Sequence, residues 1–496
     1  MERELSEILR VRREKLQKLI EKGVNPFPYR YSRTHLSSEI IADFEKLSES
    51  GNTVKIAGRI ISWRGHGKTL FAHIQDGSGK IQIYIRKDDL GEEKFELFDL
   101  FEIGDIIGAE GTVFRTRMGE VTIKVSDFSL LAKSLKPLPE KWHGLKDKEI
   151  RYRKRYLDLI VNPGVIGTFV TRARIIKSIR DFLDDRGFLE VETPAMQVLY
   201  GGANARPFVT HLKALDLDLY LRIADELYLK RLVVGGMEKV YEICKDFRNE
   251  GMDKNHNPEF TMLEFYWAYA DYRDLMNLVE EMMFSVVTSV LDTDEINYGE
   301  NLISLKPPYR RMTFAGAARK YIGVDIIELD EKSLIDLAKE RGLDTDRVKG
   351  RGAALDLLSS ELVEPHLIQP TFLTDYPVEL SPLAKIHRED PRLTERFELF
   401  INGFEFGNGF SELTDPDDQR RRFEAQARAR SMGDEEAHPI DEDFILALEH
   451  GMPPSAGYGL GIDRLVMLLT GNSSIRDVIL FPTMKPETPG AGNPDG

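Results

Sequence analysis

The sequence predicts an α+β chain in two parts: a small five-stranded β-barrel near the N-terminus, then a much larger domain of mixed helices and strands. Three observations carry this prediction. From Val54 to about Leu131, apolar and polar residues alternate in five short runs, parted by turn sequences such as DGSG and MGE, which is the pattern of a small barrel of the OB type. Beyond residue 157, helical periods interleave with period-two stretches almost to the end of the chain, as in one large α+β domain. The 496 residues, 42 % of them hydrophobic, can bury a sizeable core.

The elements follow in order. Residues 1–50 open with Leu5, Ile8, Leu9, Leu16, Leu19 and Ile20 at helical spacing, stopped by Gly23 with Pro26 and Pro28 beyond, so a helix with one apolar face leads in. Residues 51–132 hold the barrel. Residues 133–156 contain Pro137 and Pro139 and no clean period, which reads as a linker. Residues 157–486 form the large domain. In it Ile175, Ile176, Ile179, Phe182 and Leu183 mark a helix ending at Gly187, followed by the strand FLEVETP. Further helices fit YRDLMNLVEEMMFSVVTSVL and the stretch from Ile462 to Leu469, and residues 306–350 read as a helical insertion. Residues 487–496 have nothing to bury and are expected to be a flexible tail.

Charge is unevenly spread. The net is −15, yet residues 1–30 carry eight Lys or Arg against five Glu, while 434–444 is strongly acidic, so a nucleic acid partner is expected to meet the N-terminal end. The single cysteine, Cys244, excludes an intrachain disulfide and points to a reducing compartment. No run of about 18 apolar residues occurs and the opening stretch alternates charge, so a cytoplasmic protein with no membrane partner is expected.

Two glycine-rich stretches fail as nucleotide loops. GHGKT (65–69) lacks the first glycine of a P-loop, since Ser62 stands there, and reads as a strand-connecting turn; GYGLGIDR (457–464) lacks the third glycine of the dinucleotide fingerprint. The informative residues lie in three other segments. Residues 240–270 read as two strands around a loop bearing Arg248, Glu250, Lys254 and His256. RFELFINGFEFGNGFSEL (396–413) carries Glu398, Glu405, Asn408 and Glu412, with Glu398 and Glu405 in what reads as one strand, and GLGIDRLVMLL places Arg464 at a helix start. Carboxylates gathered near arginines suit a divalent metal on a nucleotide. In the barrel, strand alternation puts Phe71 on the polar face with Gln82, Tyr84 and Arg86 on the next strand, an arrangement by which OB folds stack and read single-stranded bases.

At these residues the chain resembles the class II aminoacyl-tRNA synthetases and, among them, the lysyl-tRNA synthetases of bacterial type. The matching segments are the helix and strand ending at Pro194, FRNEG through HNPEFTMLEFY, and GLGIDRLVMLL; GGANARPF, LYLKRLVVGG, GNGFSEL and SIRDVILFPT resemble the lysine enzymes. The resemblance implies an antiparallel-sheet catalytic domain behind an OB-fold anticodon-binding barrel, a homodimer, Mg²⁺, and the partners ATP, L-lysine and tRNA(Lys). It implies lysyl-adenylate formation followed by transfer to the tRNA 3′ end. Arg248 would clamp the α-phosphate and the lysine carboxylate, and Arg464 would cover the adenine opposite Phe260. Glu250 would read the adenine edge, His256 would touch the outer phosphates, and Glu398 and Glu405 would hold Mg²⁺. Glu226 would take the lysine α-ammonium and Glu412 with Tyr266 the ε-ammonium; Asn408 would lie near the carboxylate, with Glu264 in support. Arg64, Phe71 and Gln82 would read a uridine-rich anticodon. Two positions depart from the family pattern: Asp225 replaces the Pro of RIAPELYLK, and Asn255 stands where many relatives have Arg. Two competing classes are an RNA-binding scaffold with a retired catalytic domain and an enzyme that lysylates protein. Joint retention of Arg248, Glu398, Glu405 and Arg464 disfavours the first, and the barrel disfavours the second.

Overall fold

A computed structural model describes residues 2–139, 145, 147–203, 205–346, 348–431 and 440–487. The chain divides into two compact units, with the second spanning Asp147–Lys485.

In the first unit the five alternating runs become strands Val54–His66, Thr69–Gln75, Lys80–Arg86, Ile106–Arg115 and Val121–Ala132, closed into a barrel in which the first strand pairs with both the second and the fourth. Ile56, Ile74, Ile83, Ile107, Ile123 and Val125 fill it. GHGKT is the turn between the first two strands, with Gly67 at φ +60°. The lead-in helix is Glu2–Glu21; its Leu19 is buried in the barrel core, and Arg12 donates to the carbonyls of Ser134, Lys136 and Ile103. That arginine of the basic segment is therefore structural.

In the second unit an eight-stranded sheet runs in the order Arg310–Thr313, Thr371–Thr374, Arg396–Ile401, Phe404–Ser411, Ser455–Gly461, Glu259–Ala268, Lys239–Phe247, Leu189–Glu190. Its interior pairs are antiparallel and only the two outermost pairs are parallel. Helices Gly164–Asp184, Tyr272–Leu291 and Ile462–Thr470 bury their apolar residues against one face, with Leu263, Phe265, Phe397, Leu399 and Tyr458 beneath them. The helix Tyr272–Leu291 starts on a capping box at Asp271 and Asp274, a local signal that agrees with its buried stripe.

Three boundaries differ from the sequence reading. The region read as a linker turns helical at Lys148–Arg153 and Arg155–Val161, because Arg155 is fully buried, bonded to Asp158 and to the carbonyls of Leu480, Arg476 and Ile479; these distant partners leave no periodic trace. Residues 140–144 and 146 of that reading lie outside the described residues, as do 434–439 of the acidic stretch and 488–496 of the tail. Within 306–350, helices Phe314–Tyr321 and Glu331–Glu340 form as expected, but Arg310–Thr313 is a strand of the main sheet, and the same small core continues through helix Gly350–Leu362. The segment 396–411 is two strands rather than one. Asn402 and Gly403, at φ +55° and +75°, make the two-residue hairpin turn that an Asn-Gly pair favours.

Candidate active site

The face of the sheet opposite the helices carries the polar residues. Strand pairing puts Glu242, Glu264, Gly459, Asn408 and Glu398 in one row across five neighbouring strands, and Tyr266, Gly457, Phe410 and Arg396 in the next. With strands about 4.8 Å apart, Glu264 and Asn408 stand about 10 Å from each other, with only Gly459 between them. A Cβ at Gly457 would fall inside van der Waals contact of Tyr266 Cε1 and Glu412 Oε1. The glycines of GYGLG therefore open a trough in the sheet rather than wrap a phosphate.

Above this floor is a cavity of about 380 Å³, large enough for a small ligand. Glu226, Arg248, Glu250, His256, Phe260, Glu264, Tyr266, Glu405, Asn408 and Arg464 all line it. Among the described residues, then, side chains from the hairpin 239–268, helix Glu226–Val234, the strand Phe404–Ser411 and the helix start at Ile462 meet at one place. Glu398 and Glu412 do not line it and stand behind its wall.

One part of the cavity is cationic. Arg248 follows directly on the strand Lys239–Phe247; its guanidinium sits 5.1 Å from the Phe260 ring centroid, and Nε donates to the Ile223 carbonyl at 3.4 Å. Arg464 lies in the first turn of its helix. Asp463 beside it accepts from Arg172 Nη1 at 2.5 Å and from the Thr261 backbone N–H at 2.7 Å, which pins the helix start to the neighbouring strand. Arg464 Nη1 donates to the Glu405 carbonyl at 2.6 Å and lies 3.7 Å from the Glu405 carboxylate. His256 is exposed and faces Asp253 at 3.0 Å; Asn255 also lines the cavity.

Another part is acidic. Lys230, one helical turn after Glu226, has its ammonium 2.5 Å from Glu226 Oε1 and 2.5 Å from Glu412 Oε2, and its side chain is 1 % exposed. Glu412 Oε1 and Asn408 Oδ1 are buried and accept no hydrogen bond. The Tyr266 hydroxyl donates to Glu264 Oε2 at 2.9 Å rather than to Glu412. Burial pushes the Glu412 carboxyl up to about 8 even though Lys230 opposes the shift. Burial likewise raises Glu264 well above the carboxylate range, and the charges of Asp225, Glu226 and Asp246 add to it.

Asp225, the departure from the family pattern, is fully buried at the start of helix Glu226–Val234, yet makes no side-chain cap there; its carboxyl shares a hydrogen bond with the Glu264 carboxyl. It joins Asp246 and Glu264 in a group whose carboxylate oxygens lie within 4.8 Å of one another. Burial, then Asp246, raises Asp225 strongly; burial carries Asp246 to about 6, with Arg248 and Arg222 holding it back. Lys230 and the Asp246 contact were absent from the sequence reading. An i, i+4 Glu–Lys spacing was visible for the first, but reads equally as a solvated helix pair.

The expected metal ligands stand on adjacent strands across the Asn402–Gly403 turn. Glu405 opens to the cavity, whereas Glu398 accepts from the Tyr376 hydroxyl at 2.8 Å and from Arg396 Nη2 at 2.5 Å. Burial raises Glu398 to about 7, countered by Arg396 and reinforced by Glu405. Both carboxylates also face arginines, Arg396 at Glu398 and Arg464 at Glu405, but each offers the hard oxygen donors that a divalent ion takes, so the donor set fits Mg²⁺.

In the barrel, Phe71 is half-buried and its ring lies 4.7 Å from Tyr84, with the exposed Arg64 guanidinium 5.6 Å from its centroid. Gln82 does not present its amide to solvent. It is 1 % exposed, donates to Glu120 Oε2 at 2.9 Å and accepts from the Thr122 hydroxyl at 2.9 Å. Glu120 also meets His73 Nε2 at 2.7 Å and was missed by the sequence reading, because it lies in the turn before the fifth strand, outside any alternating run.

Comparison with known proteins matches both parts. A family described as class II tRNA synthetases (D, K and N) covers residues 147–485, and one described as an OB-fold nucleic acid binding domain covers 54–131. The chain is 57 % identical over 488 residues to the lysine–tRNA ligase of Pelotomaculum thermopropionicum, covering 98 % of this chain and 96 % of that one. It is 57 % identical over 484 residues to that of Carboxydothermus hydrogenoformans, covering 97 % and 99 %. To that of Bacillus subtilis it is 53 % identical over 488 residues, covering 97 % and 98 %.

Proposed function

From the premise that the chain belongs to the class II tRNA synthetases and, within them, to the lysine–tRNA ligases, we propose how its own residues perform that ligation. The observation that carries the reading is a cavity with arginines at one part and, at another, buried acceptors, Glu412 Oε1 and Asn408 Oδ1, that lack a donor. A buried acceptor without a partner costs about 1–3 kcal/mol, so such a site favours a ligand that brings N–H groups. Lysine brings two ammonium groups and ATP brings the phosphates.

The lysine carboxylate is already a nucleophile near neutral pH. It attacks the α-phosphorus of ATP, forming the acyl–phosphate bond of lysyl-adenylate and releasing pyrophosphate; the lysyl group then passes to the terminal ribose of tRNA(Lys). No general base is needed for the first step, so its acceleration comes from positioning and charge neutralisation. Arg248 holds the attacking carboxylate against the α-phosphate with its planar fork of donors. Arg464 and Phe260 cover the adenine, Glu250 meets its edge, and His256 with Asn255 faces the outer phosphates. Glu398 and Glu405 would hold Mg²⁺, which supplies further neutralisation of the phosphates. Glu226 takes the α-ammonium and Glu412 with Tyr266 the ε-ammonium; Asn408 lies near the lysine carboxylate, with Glu264 in support. Phe71 with Arg64 stacks an anticodon base, and Gln82 with Glu120 supports that face from below. The exposed Leu189, Met196, Val198, Val209 and Leu215 of the first motif and the strands after it favour a homodimer across that surface. Among the described residues no single helix is long and apolar enough to cross a membrane.

ATP–pyrophosphate exchange with each of the twenty amino acids tests the substrate. Lysine alone is expected to support rapid exchange; equal exchange with aspartate or asparagine would overturn the reading.

A further inference from the structure

The two carboxylates proposed for the two ammonium groups of the substrate are already joined by an ammonium of the chain itself. Lys230 Nζ lies 2.5 Å from both Glu226 Oε1 and Glu412 Oε2, and the Phe410 ring stands 5.1 Å away on another side. Such a lysine is more than a helix-surface partner. It is almost wholly inaccessible, and it meets one oxygen of each carboxylate while Glu412 Oε1 stays unpartnered beside Gly457 and Tyr266.

We propose that Lys230 is a specificity-determining positioning residue: its tethered ammonium holds one oxygen of Glu412, aims the other at the cavity and favours the carboxylate form, so that the site is completed by a second, mobile ammonium on the amino-acid side chain. The inference rests on the reading of the cavity as a lysine site. Two buried carboxylates with no cation between them repel, and one takes a proton. Without Lys230, Glu412 would keep its proton even as the ε-ammonium enters, and a neutral carboxyl does not distinguish an ammonium from a methyl end.

The neighbours of the pair strengthen this conclusion. Facing it are Glu226 and Asp225 from the helix start, and Glu264 and Tyr266 from the central strand; every one of them, if ionised, is an anion. Lys385, on the segment bridged to Glu412, turns its ammonium to the Thr414 hydroxyl at 3.3 Å instead. Among these groups Lys230 alone supplies positive charge. Burial opposes its charge, but Glu226 and Glu412 more than offset that and raise its pKa, so it remains an ammonium at neutral pH.

The test compares lysine with norleucine, which has the same chain length and no ε-ammonium, in ATP–pyrophosphate exchange by wild type, Lys230→Met and Lys230→Arg. In Lys230→Met the ratio of kcat/KM for lysine over norleucine is expected to fall about tenfold or more at neutral pH, mainly through KM for lysine, and to recover in part as pH rises and Glu412 ionises. Lys230→Arg keeps a cation and is expected to retain most of the ratio. If Lys230→Met does not fold, Lys230→Gln, which keeps a donor for both carboxylates without the charge, carries the test and is expected to show the same loss of discrimination and the same recovery at higher pH. A folded Lys230→Met with the wild-type ratio and pH profile would overturn the proposal. So would a uniform loss of activity with the ratio intact and no rescue by arginine, which would make Lys230 merely structural. Failure of wild type to prefer lysine over norleucine would instead refute the lysine reading itself.

Discussion

At the scale of single residues, the chemistry of the cavity lies in partners that a linear sequence does not display. Glu412 and Arg248 were named from the sequence because their motifs carry them, and both stand at the cavity or against its wall. Glu412→Gln removes a charge-assisted contact with an ammonium, worth about 1.5–3 kcal/mol, and is expected to lower kcat/KM for lysine about 10- to 100-fold. Arg248→Ala is expected to cut exchange at least about 100-fold while circular dichroism stays unchanged. Undiminished exchange in either variant would contradict its role. Asp225 makes a different point. Asp225 in place of proline is visible in the sequence, but its cost is not, because only the folded chain sets it, carboxyl against carboxyl, beside Asp246 and Glu264. Asparagine there can donate to those neighbours. Asp225→Asn is therefore expected to raise the melting temperature of the substrate-free protein by roughly 2–4 °C, as a gain of about 1 kcal/mol would; a lower temperature would show that Asp225 is paired in solution.

At the scale of elements, period and turn chemistry explain what was legible. The ends of helix Tyr272–Leu291 are legible in the sequence because a capping box and a buried stripe agree. The barrel strands were legible because one face is buried and the other is not. The hairpin 396–411 reads in the sequence as one strand because its alternation runs on through the turn, although Asn402–Gly403 is the local sign of a reversal. The helices at 148–161 were illegible because Arg155 is buried by hydrogen bonds to carbonyls more than 300 positions away. Strand register also explains Gly457, which stands between Tyr266 and Phe410. Gly457→Ala is expected to raise KM for lysine at least tenfold with a smaller effect on KM for ATP, since its methyl would press on Tyr266 and Glu412 rather than on the arginines. Equal effects on both substrates would place lysine elsewhere.

At the scale of the whole molecule, the two units divide the work. Phe71→Ala is expected to weaken tRNA charging about 10-fold or more, as loss of one stacked base of about 1–3 kcal/mol implies, while leaving lysine-dependent exchange unchanged; equal loss of both activities would mean that Phe71 only holds the barrel together. The catalytic unit also carries an excess of buried acids. Burial raises Asp246 to about 6, Glu398 to about 7 and Glu412 and Glu364 to about 8. A carboxyl raised in the folded state holds its proton longer than in the unfolded chain, so its contribution is complete below the unfolded pKa and is lost as pH rises through the folded one. These four groups are expected to make the substrate-free protein less stable as pH climbs from about 5 to 8, in a thermal melt series, with lysine and ATP–Mg²⁺ flattening the slope. A melting temperature that rises over this window would count against them.

The same imbalance gives the most direct test of the account. If the ε-ammonium of lysine enters beside a Glu412 carboxyl that burial holds at about 8, binding drives that group to ionise and releases a proton to the solvent. Calorimetric titration of the protein with lysine near neutral pH, repeated in two buffers of different ionisation enthalpy, reads that proton directly. Net proton release that disappears in Glu412→Gln is the expected result, and lysine binding with a heat independent of the buffer would contradict it.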